Sequence, residues 1–290
     1  MSRRLGTVAI VGVGLIGGSI GKSLRSKGLA TTVVGLGRDR DRLEEARHLG
    51  AIDRFATDPA EALAEAEVAV VCTPVTRIVE DLLAAAEFGP ESILVTDAGS
   101  TKGAIVEAVE RHPRGQATFV GAHPIAGSER KGAAHARADL FDGRACVVTP
   151  TSRTPADRLD RARTFWSDLG CVLHEMSPED HDRALARTSH LPHVVAAALA
   201  AAVPAELLPL AAGAYRDGTR VAGSDAALWA GIFRENRGPV LQALAGYQAQ
   251  IDAFRAALEA DDEDALIGWW EAARGLRSRF EDVPIPPMRR

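Results

Sequence analysis

A short glycine-rich stretch near the N-terminus is the first part of this sequence that could do chemistry. Residues 12–17 read Gly-Val-Gly-Leu-Ile-Gly, between a β-branched apolar run and a segment with helical spacing. In this GxGxxG pattern the first glycine allows a tight turn, the second lets a phosphate approach the backbone, and the third permits close packing of helix and strand. The residues predicted to bind a dinucleotide are Gly12, Gly14, Leu15, Ile16 and Gly17.

The choice between NAD and NADP depends on the residue about 20 positions beyond this stretch. An NAD site has an acidic residue there for the ribose hydroxyls, but this chain has Gly37 followed by Arg38. The missing acid and the adjacent guanidinium favour a 2′-phosphate, so NADP is the favoured cofactor. The alternative is that Arg38 is solvated and Asp39 contacts the ribose, which would make the cofactor NAD.

Two more polar stretches follow predicted strands, at the edge where an open α/β sheet binds its ligands. One is Asp-Ala-Gly-Ser-Thr-Lys at 97–102, and the other is Gly-Ala-His-Pro-Ile-Ala-Gly-Ser-Glu at 121–129. His123 could accept a proton near neutral pH, and Ser100 could hold its imidazole ring or a substrate hydroxyl. Further residues on this edge are assigned to cofactor binding, namely Thr73, Pro74, Asp97 and Gly99.

The second half of the chain supplies another set of polar residues. Thr-Ser-His-Leu-Pro-His at 188–193 and Asp-Gly-Thr-Arg-Val-Ala-Gly-Ser-Asp at 217–225 stand out within a helical pattern. Pro192 is expected to kink its helix. His190 and His193 are three positions apart and could share one helix face, as metal ligands do. No convincing set of further ligands accompanies them, so no metal is expected.

Strands and helices alternate along the first part of the chain, and they must position these residues. Val68–Cys72 is apolar throughout, as expected for a parallel strand with helices on both faces. From Ser177 the pattern is helical, beginning with an N-cap serine, a proline and two acids. The predicted α/β fold has an N-terminal doubly wound (Rossmann-type) parallel sheet domain at 1–176, followed by an all-α dimerisation domain at 177–290.

The helical half has more apolar surface than a small bundle can cover by itself. Between Leu241 and Leu258, apolar residues recur every three or four positions and form one stripe. A two-fold dimer is the commonest way to bury such a stripe. A homodimer through the C-terminal helices is therefore expected.

The overall composition excludes several classes of function. The formal net charge is −5, so no broad basic surface is expected to bind nucleic acid. No apolar stretch is long and uninterrupted enough to span a membrane. The 3 cysteines cannot form a closed set of disulfides, which fits a reducing compartment. A cytoplasmic protein that binds a small molecule is the expectation.

Taken together, these stretches resemble the prephenate/arogenate dehydrogenase family of tyrosine biosynthesis. The matching segments stand in the family's order and cover most of the chain: GVGLIGGS, DAGSTK, GAHPIAGSE, TSHLPH, and DGTRVAGSD with its downstream tryptophan. Gly37 departs from the pattern of many NAD-using members, which have an acid there. This departure concerns the cofactor and not the family.

The resemblance implies an oxidative decarboxylation. A base takes the proton of the C4 hydroxyl, a hydride leaves C4 for the nicotinamide, and loss of carbon dioxide makes the ring aromatic. By the same resemblance His123 accepts the proton, Ser100 orients the reacting centre, and Arg220 clamps a substrate carboxylate. Further substrate-binding residues implied in this way are His193, Ser128, Glu129 and Trp229.

Arg216 bears on the choice of substrate. Prephenate ends in a keto acid, whereas arogenate carries an ammonium group that a nearby guanidinium would repel. Arg216 therefore favours a prephenate dehydrogenase. The alternative is an arogenate dehydrogenase or a dual-specificity cyclohexadienyl dehydrogenase.

Other functions agree less well with these residues. A β-hydroxyacid dehydrogenase would need a lysine in the helical half, but the last lysine is Lys131. A ketol-acid reductoisomerase would need paired carboxylates for magnesium, and the sequence offers no clear pair. A protein that only senses NADP would leave His123, Ser100 and Arg220 without a role.

Overall fold

An eight-stranded sheet forms the centre of the first half of the chain. The computed structural model describes residues 4–127 and 130–283. Its strands are β1 (Leu5–Val11), β2 (Ala30–Leu36), β3 (Arg54–Ala56), β4 (Ala66–Val71), β5 (Leu94–Asp97), β6 (Phe119–Pro124), β7 (Ala145–Thr149) and β8 (Val172–Glu175). Their order is β3-β2-β1-β4-β5-β6-β7-β8. The order therefore reverses between β1 and β4, which is where doubly wound sheets bind ligands.

Helices cover both faces of this sheet. They are α1 (Leu15–Ser26), α2 (Arg40–His48), α3 (Pro59–Leu63), α4 (Val75–Phe88), α5 (Gly103–Glu110), α6 (Pro113–Thr118) and α7 (Ala156–Asp168). One buried cluster packs the sheet against α1, α2 and α7, and a second packs it against α3, α4 and α5. Because both faces are covered, Val8, Ala9 and Ile10 of β1 have 0% exposure. The predicted Rossmann-type fold is confirmed.

The sheet is not parallel throughout, which corrects the expectation from the sequence. β1 to β6 pair in parallel, but β7 is antiparallel to β6, and β8 is parallel to β7. A parallel neighbour needs a crossover, usually a helix, and the described part of the β6–β7 connection has a 3₁₀ turn at Ala133–His135 instead. The 3-residue strand β3 was also not predicted, because so short a strand shows no recognisable alternation.

The second half of the described chain is helical. Its helices are α8 (Pro178–Leu185), α9 (Leu191–Ala202), α10 (Gly213–Thr219), α11 (Ala226–Glu235), α12 (Arg237–Glu259) and α13 (Glu263–Glu281). The start of α8 agrees with the sequence, since the Ser177 hydroxyl accepts the backbone N–H of Asp180 at 3.0 Å. The division of the chain into domains after residue 176 stays a prediction.

A π turn joins α8 to α9. It spans Ala186–His190, and α9 begins one residue later, just before Pro192. Proline has no N–H to donate, and its ring crowds the carbonyl of the residue four positions back. A wider turn relieves this conflict, and turns of this kind are frequent at functional sites. The kink expected at Pro192 therefore takes the form of a π turn that contains His190.

Apolar side chains remain on the surface of α12 and α13. Leu241, Leu258, Ile267, Trp270 and Leu276 are between 53% and 67% exposed. The apolar surface expected from the sequence is thus uncovered in a single chain. No described helix is both long and apolar enough to cross a membrane. The 3 prolines between residues 282 and 290 predict an irregular arm there, and beyond residue 283 this arm lies outside the described residues.

Candidate active site

The three glycines of the GxGxxG stretch have different reasons to be glycine. Gly12 has a backbone φ of +89°, and a Cβ there would lie 2.9 Å from the Thr73 side chain. A Cβ on Gly17 would lie 2.2 Å from the Gly12 carbonyl oxygen, so only glycine allows this packing. A Cβ on Gly14 would meet nothing within 4 Å. The space beside Gly14 is therefore open to a ligand.

The start of α1 suits the phosphates of a dinucleotide. Gly14 is the N-cap residue and makes no side-chain hydrogen bond to the first turn, where Leu15 and Ile16 lie half-buried. Helix N-termini without such a cap bind anions through their N–H groups. The buried hydroxyl of Thr73, which precedes Pro74 at the end of β4, has no partner within the described structure. These features fit a nicotinamide dinucleotide across the glycine turn.

The end of β2 is where an adenosine ribose would lie. A Cβ on Gly37 would make an ordinary 3.4 Å contact with Leu43, so the fold does not require glycine there. Arg38 is exposed. Asp39 caps α2, because its carboxylate accepts the Arg42 N–H at 3.1 Å and pairs with the Arg42 guanidinium at 3.2 Å. The position that would carry the ribose-binding acid is therefore free of negative charge, and Asp39 is engaged elsewhere.

A buried ion pair connects the ends of β5 and β6. The Asp97 carboxylate accepts the backbone N–H groups of Gly99 at 2.9 Å and Ala122 at 3.0 Å, and it also accepts the Lys102 ammonium. Both charged side chains are 0% exposed. Asp97, assigned to the cofactor from the sequence, thus has its carboxylate engaged in holding the loop after β5 against β6. Half-buried Ser100 lies in this loop.

His123, near the end of β6, begins a chain of hydrogen bonds. Its Nδ1 lies 2.9 Å from Nε2 of His181 on α8. The Nδ1 of His181 lies 2.8 Å from the Asp182 carboxylate. That carboxylate also accepts the backbone N–H groups of Lys102 and Gly103, both at 2.8 Å, at the start of α5. The half-buried His123 is therefore linked through a buried histidine to a carboxylate held by three donors.

Burial keeps these two histidines neutral. It lowers the pKa of His123 well below its ordinary value, and the neighbouring titratable rings of His181 and His190 and the Lys102 ammonium lower it further. Burial also lowers the pKa of His181, although the hydrogen bond to Asp182 acts in the opposite direction. Burial would raise the pKa of Asp182, but hydrogen bonds from His181 and two backbone amides outweigh it and lower this pKa. At neutral pH this chain of hydrogen bonds therefore consists of one carboxylate and two neutral imidazoles.

Asn236 links these hydrogen-bonded residues to the π turn. Its Nδ2 donates to the Asp182 carbonyl oxygen at 2.8 Å and to Nδ1 of His190 at 3.1 Å. Burial lowers the pKa of His190 to about 4, so this ring is neutral as well. The edge of the His190 ring also faces Trp229, with centroids 5.9 Å apart. The π turn is thus held by contacts on two sides.

The second histidine of the TSHLPH segment, His193, lies in the first turn of α9, directly after the π turn. Nδ1 of His193 donates to the Ser189 carbonyl at 2.9 Å, and its ring stacks on Trp229. Burial lowers the pKa of His193, and the nearby charge of Arg220 adds to that effect. The structure therefore brings His193, Trp229 and Arg220 together. Arg220 and Arg216 both have exposed side chains.

The loop after β6 returns to the glycine turn. A Cβ on Gly127 would lie 3.7 Å from the side chain of Ile16 in α1. Ser128 and Glu129, both predicted to line the pocket, lie outside the described residues. Within 4–127 and 130–283, no group of three or more His, Cys, Asp or Glu side chains is arranged to hold a metal ion.

Sequence reasoning missed the residues behind His123. His181 and Asp182 stand in the first turns of a capped helix, where an acid is ordinary and a histidine carries no signal. Asn236 belongs to no recognisable motif. The contacts that matter span 58 residues for His181 and 54 for Asn236. Lys102 and His190 stood inside motifs that the sequence analysis had singled out.

Two domain models of one family match most of this chain. The model described as "Prephenate dehydrogenase, nucleotide-binding domain" matches residues 20–175. The model described as "Prephenate dehydrogenase, dimerization domain" matches residues 177–272.

Individual relatives agree with these matches. The prephenate dehydrogenase of Bacillus subtilis (strain 168) is 32% identical over 284 residues, which cover 96% of this chain and 76% of the relative. The cyclohexadienyl dehydrogenase of Zymomonas mobilis is 30% identical over 277 residues, covering 93% and 94%. The crystal structure of A. aeolicus prephenate dehydrogenase with hydroxyphenyl propionate and NAD⁺ is 32% identical, has a TM-score of 0.90, and covers 97% of this chain and 100% of that chain.

Proposed function

This chain belongs to the prephenate dehydrogenase family, and from that premise we propose that it converts prephenate to 4-hydroxyphenylpyruvate in tyrosine biosynthesis. The observation that carries the proposal is a neutral histidine, His123, near the carboxyl end of β6 in a sheet that also carries the glycine turn. A neutral imidazole at this edge can take a proton from a ligand hydroxyl.

His123 is the proton acceptor in this proposal. Its Nδ1 is engaged with His181, which leaves Nε2 for the substrate hydroxyl. The proton of the C4 hydroxyl passes to Nε2 while a hydride leaves C4. A bound nicotinamide ring supplies the acceptor for that hydride.

Loss of carbon dioxide completes the reaction. The bond between C1 and its carboxylate breaks, and its electron pair restores the aromatic ring. The C4 oxygen becomes a phenolate and takes back the proton held by His123. The bonds, electrons and protons balance with the nicotinamide as the only oxidant.

Other side chains bind and orient the substrate. Ser100, in the loop after β5, orients the C4 hydroxyl. Arg220 binds a substrate carboxylate, because a guanidinium fork matches two carboxylate oxygens. His193 and Trp229 line the entrance in this proposal. Ser128 and Glu129 complete the pocket, and Glu129 pairs with Arg220.

NADP is the cofactor we propose, while the family supports a nicotinamide cofactor in general. The glycine turn and the start of α1 would hold the pyrophosphate, with Thr73 and Pro74 beside them. An acid at position 37 would repel a 2′-phosphate, and this chain has glycine there. Exposed Arg38 is free to pair with that phosphate, whereas Asp39 is engaged by Arg42.

Prephenate is preferred to arogenate in this proposal. Arg216, on α10, lies one helical turn before Arg220 and has an exposed side chain. A guanidinium there favours the keto acid side chain of prephenate and disfavours the ammonium group of arogenate. Arogenate remains the alternative substrate.

We also propose a homodimer through α12 and α13. The matched dimerization domain covers both helices up to residue 272, and their apolar side chains are exposed in one chain. A two-fold interface would bury them. The cytoplasmic location stays a prediction.

A two-by-two assay tests the proposed function. Prephenate or arogenate is combined with NAD⁺ or NADP⁺, and the absorbance of the reduced nicotinamide is followed. Fastest turnover is expected with prephenate and NADP⁺. No turnover in any combination, with folded protein that still binds dinucleotide, would contradict the proposed function and favour a sensor.

A further inference from the structure

The hydrogen bonds behind His123 fix which nitrogen of each ring carries a proton. The Asp182 carboxylate accepts the backbone N–H groups of Lys102 and Gly103, both at 2.8 Å. These donors stand at the start of α5, where a negative charge is favourable. An ionised carboxylate can only accept hydrogen bonds.

The proton positions follow from this one fixed acceptor. Because Asp182 accepts at 2.8 Å, Nδ1 of His181 must carry a proton. In a neutral His181 ring the other nitrogen, Nε2, then has only a lone pair. It lies 2.9 Å from Nδ1 of His123, so that nitrogen must be the donor. His123 is left with an unprotonated Nε2.

We propose that His181 and Asp182 are positioning residues, which hold His123 in the tautomer protonated at Nδ1 and thereby make Nε2 the proton acceptor. The inference rests on the proposed function, in which His123 takes the proton of the substrate hydroxyl. It adds two buried residues that act through His123. A histidine's second partner commonly sets its tautomer in this way.

The same hydrogen bonds stabilise His123 after it has taken the proton. Lys102, after β5, disfavours a positive charge on His123. Asp182 is a negative group that opposes this effect, and it acts through His181. When Nε2 of His123 gains its proton, two hydrogen bonds strengthen: the one from Nδ1–H of His123 to His181, and the one from Nδ1–H of His181 to Asp182. Neither bond exchanges an atom in this step.

A purely structural role predicts different behaviour. The Asp182 carboxylate also accepts two backbone N–H groups at the start of α5, so its loss would by itself destabilise the fold. Lower stability alone would leave the tautomer of His123 unchanged in the folded molecules. A measurement of the His123 tautomer therefore distinguishes the positioning role of Asp182 from a purely structural one.

Asp182→Asn is the first test variant. Oδ1 of Asp182 accepts from both Lys102 and His181, so an asparagine NH₂ group in its place donates to Nδ1 of His181 and reverses both tautomers. The variant gives up the Lys102 N–H bond, and its oxygen still accepts from Gly103. We expect kcat to fall by about 100-fold or more, with KM and dinucleotide affinity within about twofold of the parent. The ¹⁵N chemical shifts of histidine-labelled protein, assigned with His123→Asn, should show the proton of His123 on Nδ1 in the parent and on Nε2 in the variant.

A pair of variants at His181 keeps the test decisive if Asp182→Asn does not fold. The amide of His181→Gln can donate to Asp182 and accept from His123, so it should retain most of kcat. His181→Leu can do neither and should lose about 100-fold. Asp180→Asn, an equal charge change on an exposed residue of the same helix, should leave kcat unchanged.

The outcomes separate this inference from the proposed function. A proton on Nε2 of His123 in the parent protein, or equal activity of His181→Gln and His181→Leu, would overturn the positioning role. Absence of turnover in the parent would contradict the proposed function instead. The ¹⁵N measurement still reports the tautomer in that case, because it needs no turnover.

Discussion

The ring of His193 stacks on the indole of Trp229, with centroids 3.7 Å apart and planes inclined by 27°. The same indole meets the edge of His190 at 5.9 Å and the ring of Phe233 at 5.3 Å. One side chain of α11 thus packs against both histidines of the TSHLPH segment. This packing fixes the π turn and the start of α9 against α11, so His193 and Trp229, which we propose to line the entrance, hold one another in place.

Replacement of the proposed proton acceptor should abolish most of the activity. His123→Asn removes the imidazole at the end of β6, and we expect kcat to fall by at least about 100-fold with cofactor affinity kept. Steady-state kinetics and a dinucleotide titration measure the two quantities. His48→Asn, at an exposed histidine of α2, is the control. Near-normal kcat in His123→Asn would remove this residue from the reaction.

Loss of the carboxylate clamp should act on substrate binding. Arg220→Ala removes one guanidinium near His193, and we expect KM for prephenate to rise by about 10- to 100-fold with a smaller change in kcat. Arg111→Ala removes an exposed arginine that pairs with Glu107 on the surface and should have no such effect. An unchanged KM in Arg220→Ala would reject the clamp.

The cofactor preference should respond to position 37. Gly37→Asp fits sterically, because its Cβ makes only a 3.4 Å contact with Leu43. The new carboxylate repels a 2′-phosphate and can bind ribose hydroxyls, so kcat/KM for NADP⁺ relative to NAD⁺ should fall by about tenfold or more. Arg38→Ala should weaken the binding of NADP⁺ and leave the binding of NAD⁺ unchanged. Arg47→Ala, at an exposed residue of α2 that pairs with Glu44, serves as the control. A parent enzyme that already prefers NAD⁺ would refute the NADP proposal.

The activity should persist into mildly acidic solution. Burial holds the pKa of His123 well below its ordinary value, with His181, Lys102 and His190 as the nearby positive or titratable groups and Asp182 beyond His181. A base works while it is unprotonated, so kcat/KM should fall only well below pH ~6.5, the pKa of an unperturbed histidine. A pH series of kcat/KM measures this, and an acid limb centred at or above that pH would contradict the assignment.

The dimer should depend on the exposed face of α13. Trp270 is 65% exposed in one chain, and Trp270→Glu would place a charge in the proposed interface. We expect a dimer mass for the parent and a monomer mass for the variant by light scattering at micromolar concentration. Phe88→Glu, at a residue of α4 that is 47% exposed, should remain dimeric. A monomeric parent protein would contradict the homodimer.

Local sequence patterns were sufficient to predict the elements whose structure depends on neighbouring residues. The glycine turn was recognisable because Gly12 and Gly17 leave no room for a side chain, and α8 because Ser177 caps it. The antiparallel direction of β7 was not recognisable from the sequence, because it depends on how the chain returns to the sheet. The π turn was foreseen only as a kink, because a proline shows where a helix must adjust and not how.

By itself the sequence determined the family, the Rossmann-type fold, and the identity of the candidate proton acceptor, because each is expressed in short motifs with local physical causes. The tertiary structure alone decided what stands behind His123. His181 and Asp182 lie on a helix 58 residues further along the chain, and Asn236 lies later still. Which buried groups face one another depends on the packing of α8 against the sheet and α5, and no local pattern encodes that packing.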